Sequence, residues 1–136
     1  MPVQTSPELF WLTLVALLTA LLWVPYILQL IMQMGVMGAL MDAQGEHPHK
    51  AQWALRAKRA HYNAVENLVV FAPLALAVHA LGAGTAATAL AAAVYFWARL
   101  AHYGFHLFAL PVVRTLAFLV GWGCQLVLAF TLLGWM

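Results

Sequence analysis

Four residues in the stretch LRAKRAHYNAVENLVVFAP (55–73) carry charge or strong hydrogen-bonding capacity at spacings of three and four: Arg56, Arg59, Asn63 and Glu66. On an α-helix those spacings put all four on one face, as a stripe that would face protein. A second set repeats the pattern, with Tyr95, Arg99, His102 and His106 spaced four, three and four. Guanidinium, amide and imidazole donors converging from two helices are suited to holding carboxylates and other anions. Arg114 adds a further fixed cation soon after the second stripe. Lys58 and His61 fall off the first stripe, and Lys58 reads as a lysine that snorkels to a membrane boundary.

Charge counting gives the stripes a direction. Arg56, Arg59, Arg99 and Arg114 face one acid at the same level, Glu66, so internal pairing leaves a surplus of positive charge. An unpaired charge at the centre of a bilayer costs at least about 2.5 kcal/mol, and an anionic ligand would offset that cost. The alternative is a purely structural network. Glu66 would then neutralise Arg59 or Arg99, and Asn63 would hydrogen-bond between helices at roughly 1 kcal/mol per bond. A metal or haem site on His102 and His106 fits poorly, because no HExxH pattern is present, no cysteine assists and the arginines repel cations. His79 reads as an interfacial residue, and His47 and His49 as solvated loop residues.

These stripes need helices that live in lipid. Of the 136 residues, 65% are hydrophobic and 7% charged, and the mean hydropathy is +0.89, whereas ordinary globular domains are about 25% charged. No polar block is long enough to fold separately, so residues 1–136 form a single transmembrane domain. The start, MPVQTSPELFW, has no basic n-region, and the apolar run after it outlasts a cleavable signal core, so the first helix is expected to stay. A net charge of +2 leaves no nucleic-acid footprint. Cys124 has no partner and reads as a small buried hydrophobe.

Four spans are predicted, at about residues 7–34, 54–80, 85–108 and 112–135, from apolar run length and breakers. Ser6, Pro7 and Glu8 supply a helix start. Pro25 predicts a kink, with Tyr26 and Gln29 near the freed backbone groups. The segment MDAQGEHPHKAQW reads as a polar, solvent-facing loop, Gly82 to Thr85 as a tight turn, and Pro111 as the end of a short connector. The alanine-rich start of the third helix and Gly121 and Gly123 in the fourth would allow close helix packing. Lys50, Arg56, Lys58 and Arg59 surround the first loop and Arg114 follows the third, so the positive-inside tendency puts loops one and three in the cytoplasm and both termini outside.

The segments RAKRAHYNAVENLVVFAP, YFWARLAHYGFH and PVVR together resemble the family of membrane-associated proteins in eicosanoid and glutathione metabolism, MAPEG, over nearly the whole chain. The RxxRAxxNxxEN run with its trailing proline is the specific part. The resemblance implies an all-α, antiparallel up-down four-helix membrane bundle that assembles as a homotrimer. Glutathione would bind between neighbouring copies near the cytoplasmic side, and an apolar co-substrate would arrive from the lipid. It also implies that Arg59, Asn63, Glu66, Arg99, His102 and His106 hold glutathione while Arg114 stabilises its thiolate. Elementary physics agrees at Arg114, since a fixed cation and a helix N-terminus both lower a thiol pKa. The chain has His106 where animal eicosanoid-forming members commonly carry tyrosine, and Gln29 and Gln33 on a first helix where many carry a basic residue.

The expected function is that of a glutathione-dependent transferase or peroxidase acting on hydrophobic electrophiles, of bacterial type and in the inner membrane, with membrane lipid and further copies of itself as partners. The rival is a non-catalytic lipid-binding or scaffold protein of the same fold. A four-helix drug exporter fits less well, since no acid lies within the first span to couple protons.

Overall fold

The computed structural model describes residues 5–42 and 49–136, which leaves His47 and Glu46 of the first loop outside the described residues. All its regular elements are helices. Ser6 opens α1 (Pro7–Leu21): its Oγ accepts the Leu9 N–H at 3.2 Å, and proline in the first turn leaves no donor unpaired. Leu22 and Trp23 interrupt the rod, and α2 (Val24–Met41) resumes with Pro25 in its first turn. Proline cannot donate back to the preceding turn, so the kink takes the form of a break within one apolar span, Pro7–Met41.

Tyr26 and Gln29 do not serve that break. The Tyr26 hydroxyl lies 2.7 Å from His61 Nδ1, and the Gln29 side-chain Oε1 accepts from His49 Nδ1 at 2.7 Å. The helical segment also continues past residue 34, because Gly35 takes a φ of 77° that glycine tolerates and the apolar residues after it resume the helix.

Helix α3 (Gln52–Ala80) has 29 residues, about 43 Å at 1.5 Å each. That exceeds the roughly 30 Å hydrocarbon layer, so its basic first turns have room to project beyond it. A turn through Gly82, at φ 60°, leads to α4 (Ala86–Leu107). Thr85 and Thr88 form a reciprocal capping box there, each side chain accepting the other's backbone N–H. Ala109, at φ 58°, bends the connector before Pro111 starts α5 (Pro111–Leu132).

Direction reverses at each connection. The start of α3 therefore shares one end of the bundle with the 108–110 connection, called the loop end below, and the 81–85 turn marks the other, the turn end. Three spans, Pro7–Met41, Gln52–Ala80 and Pro111–Leu132, are long and apolar enough to cross a membrane. Helix α4 has similar length, but Arg99, His102 and His106 lower its apolarity.

The burial pattern is that of a lipid-embedded protein. Val69 is 70% exposed and Leu90 65%, whereas Arg99 is 3%, His102 4% and Glu8 2% exposed. Apolar groups face outward because lipid is as apolar as they are, while polar groups turn inward to find partners. The central core joins Leu12 and Val15 of α1, Phe71 and Val78 of α3, Tyr95 of α4 and Leu128 of α5. Phe71 and Tyr95 stack with ring centroids 3.8 Å apart and planes 6° apart.

Cys124 joins this core, as expected of a small hydrophobe. Ala91 and Ala92 are buried, and Gly121 lies against Arg99 and Tyr95. Gly123 differs from expectation: among the described residues nothing lies within 4 Å of where its Cβ would be, and it borders a groove with Ala91 and Val94 of α4. Helix α4 packs most extensively on α5, and α2 touches little beyond α3.

Candidate functional site

Near the loop end, a cleft of about 310 Å³ is lined by Asn63 of α3, His102 and His106 of α4, and Arg114, Thr115 and Phe118 of α5. Arg99 stands behind it, buried, and its Nη2 donates to Asn63 Oδ1 at 2.6 Å. Asn63 is itself held in place: Asn67 Nδ2 donates to the Asn63 carbonyl at 2.9 Å, and Gln125 Nε2 donates to the Asn67 carbonyl at 3.1 Å. The chain Gln125–Asn67–Asn63–Arg99 thus ties α5, α3 and α4 together beneath the cleft.

Two of the four arginines are committed to helix-level hydrogen bonds and two are not. Arg56 Nε donates to the Leu107 carbonyl at 2.9 Å, one of the carbonyls that the end of α4 leaves without an intrahelical partner. Arg99 has Asn63. Arg59 and Arg114 have no hydrogen-bond or ion-pair partner among the described residues, and Glu66 pairs with none of the four. The structural alternative in which Glu66 neutralises Arg59 or Arg99 is therefore not what the fold adopts; a neutral amide takes the Arg99 contact.

Donor capacity is left over in the same place. Arg99 Nε, His102 Nδ1 and His106 Nδ1 are buried without a hydrogen-bond partner among the described residues. The two imidazoles meet edge to face, with centroids 5.7 Å apart at 84°. Arg114 sits in the first turn of α5, whose free N–H groups already make that end positive. A cation in that position is favourable only beside an anion, and the buried Arg99 Nε, a donor without an acceptor, calls for one too.

The fold thus brings Asn63, Arg99, His102, His106 and Arg114 to one place. It leaves Arg59 and Glu66 exposed on the outer side of α3. The stripe Arg56–Arg59–Asn63–Glu66 does not face the inside of the chain as a whole. The buried line of α3 is Ala54, Ala57, Ala60 and Ala64, whose small side chains admit the neighbouring helices. The polar stripe flanks that line and is only half covered.

Several participants escape the two-stripe reading. Asn67 lies one turn beyond Asn63 in the same quoted stretch, and Gln125 is the lone amide in the apolar run GWGCQLVLAF; both positions are visible signals. The pairs on the other side of α3 are less legible. His61 meets Tyr26, and His49 meets Gln29, whose Nε2 donates to Gln33 Oε1 at 3.1 Å. Gln33 Oε1 also accepts the Lys50 N–H at 2.9 Å.

His49 is therefore no solvated loop residue. It is 6% exposed, and burial, with Lys58 adding to it, holds its imidazole below the usual histidine range. Lys58 lies over the Tyr62 ring, 5.8 Å from its centroid. His79, expected at an interface, is exposed at the turn end, with Nδ1 3.0 Å from Ser6 Oγ.

Searches of curated proteins and of solved structures find no match to the chain. A family model matches residues 9–134, which takes in all five helices except the first two residues of α1, together with every residue of the cleft. The chain belongs to the MAPEG family.

Proposed function

We propose that this chain is a membrane-bound glutathione-dependent transferase or peroxidase that acts on hydrophobic electrophiles. The observation that carries the reading is the surplus of cationic and hydrogen-bonding groups at the loop-end cleft: Arg114 unpaired in its lining, and Arg99 behind it, His102 and His106 with buried nitrogens lacking partners among the described residues. A tripeptide with two carboxylates and a thiol supplies the missing acceptors. Family membership agrees, since MAPEG includes glutathione-dependent transferases and peroxidases.

In this reading Asn63, Arg99, His102 and His106 hold the carboxylate and amide groups of glutathione. Arg114 and the α5 N-terminus face its sulfur, where positive potential lowers the thiol pKa and raises the thiolate fraction. The thiolate attacks an electrophilic carbon, a C–S bond forms, the leaving group departs with its electron pair, and the thiol proton goes to water. Proximity and thiolate stabilisation supply the rate, with no side-chain nucleophile.

The exposed Glu66, two turns past the basic start of α3, supports a site completed by a neighbouring copy, as in a homotrimer, because a charge at that level would otherwise meet lipid. The gathering of basic residues at the loop end supports a cytoplasmic position for that end, in a bacterial inner membrane.

Purified protein in detergent is expected to raise the ultraviolet thiolate absorbance of glutathione and to conjugate it to a chloronitrobenzene, and Arg114→Ala to lose both signals. Binding without thiolate formation would remove the enzyme reading. Absence of binding would remove glutathione as well.

A further inference from the structure

The turn end holds a second polar site of opposite sign. A cavity of about 520 Å³, larger than the loop-end cleft, opens between α1, α3 and α4 and is bordered by Ser6, Glu8, His79, Gly84 and Thr85. Glu8 is 2% exposed. Its Oε1 accepts the Thr88 hydroxyl at 2.6 Å, the one hydrogen bond its side chain makes among the described residues. Gly84 packs against the carboxylate: a Cβ there would stand 3.1 Å from Oε1 and 3.4 Å from Oε2.

The Thr88 contact explains how Glu8 fastens α1 to α4, but it does not balance the charge. A buried carboxylate costs several kcal/mol unless a cation or several donors compensate it. No Lys or Arg lies at this end of the bundle among the described residues: Lys50, Arg56, Lys58 and Arg59 sit at the loop end, and Arg99 and Arg114 at the cleft. His79, the nearest basic side chain, turns to Ser6 instead. The N-termini of α1 and α4 bring only partial positive charge to this carboxylate, so the cavity beside it is suited to a cation from outside the described residues.

Its chemistry follows from the lining. Carboxylate, hydroxyl and imidazole groups offer acceptors for the three N–H donors of a primary ammonium. No Phe, Tyr or Trp borders the cavity, so the aromatic cage that suits quaternary ammonium is missing. We propose that the Glu8 cavity binds a primary alkylammonium group, supplied either by an ethanolamine-type phospholipid headgroup at the membrane edge or by a small soluble amine.

The test uses full-length protein in lipid nanodiscs and compares headgroups on identical acyl chains: phosphatidylethanolamine, phosphatidylcholine and phosphatidylglycerol. Retained lipid is counted by native mass spectrometry. Wild-type protein is expected to retain the ethanolamine lipid about tenfold over the other two, the scale of one charge-assisted contact. Glu8→Gln keeps the shape and the acceptor for Thr88, so it should fold, which circular dichroism checks, yet it should lose the preference.

Competition by millimolar ethanolamine identifies a soluble amine as an equal source, and its failure to compete identifies the lipid; either result supports the ammonium site. Equal retention of all three lipids by the wild type overturns the proposal. An undiminished preference in folded Glu8→Gln overturns it as well.

Discussion

The two ends of this bundle solve opposite electrostatic problems with the same pair of helices. At the loop end, α3 and α4 converge on a cleft with more donors and cations than acceptors: Arg99 bound to one amide, Arg114 unpaired, and two histidines with idle nitrogens. At the turn end, α4 begins beside a single buried carboxylate that receives one hydroxyl. The difference teaches that polar residues inside a lipid-embedded bundle are not interchangeable glue. Glu8 fastens α1 to α4 through Thr88 and keeps acceptor capacity beside its own cavity, whereas the loop-end group leaves donor capacity open toward a cleft.

The comparison breaks most decisively at Arg114. Arg114→Ala is expected to lower glutathione conjugation by about 10²–10³-fold, the usual cost of removing one preorganised charge stabiliser, while thermal unfolding stays near that of the wild type. A turnover assay beside a melting curve checks both halves. If melting falls in step with turnover, the loop end is structural after all.

Arg99→Leu comes next. It removes a charged donor from a neutral amide and from the ligand, so glutathione affinity should drop by about 2 kcal/mol, which calorimetry reads as roughly thirtyfold in Kd. Thr88→Val sharpens the other end. It strips the Glu8 carboxylate of its donor at constant side-chain shape, and stability should fall by about 1–3 kcal/mol with glutathione affinity unchanged. Denaturation in detergent measures the first, and titration the second.

The smallest expected effect is at His49, at the edge of the loop end. Its folded pKa lies below the usual value because burial disfavours the charged ring, so the unfolded chain binds the proton more readily. The stabilisation is full above about pH 6.5 and declines as the pH falls below that value. Melting curves from pH 7.5 down to pH 5 should show a fall in Tm that His49→Gln reduces.

How much of this was legible in the chain depends on the range of each interaction. Helix positions follow from local physics: Ser6–Pro7, Thr85 and Pro111 are start signals, and Gly82 marks the turn. The α4 stripe is legible as one face, since residues at i, i+3 and i+4 share a face whatever surrounds them, and both Arg99 and His102 are buried. The α3 stripe is legible as a face, but not as to what it faces. Periodicity cannot say whether a polar line or the adjacent line Ala57–Ala60–Ala64 meets the next helix, and close packing favoured the alanines.

His49 shows the same limit. A histidine in a polar loop has no local reason to be buried, and only the return of the chain beside Gln29 and Gln33 puts it indoors. Pro25 was legible as a disturbance, but the partners of Tyr26 and Gln29 were not, because His61 and His49 lie 35 and 20 residues away.

By itself, then, the sequence determined a lipid-embedded all-helical chain, the order of its helices, and the chemical character of its polar stripes. Those properties depend on composition and on contacts within a few turns. Only the tertiary structure decided that Asn63 rather than Glu66 takes Arg99, that Arg114 joins two histidines across a cleft, and that Glu8 lies buried against Thr88. These are pairings between distant helices, set by which small residues let backbones approach and by which buried polar groups then find one another.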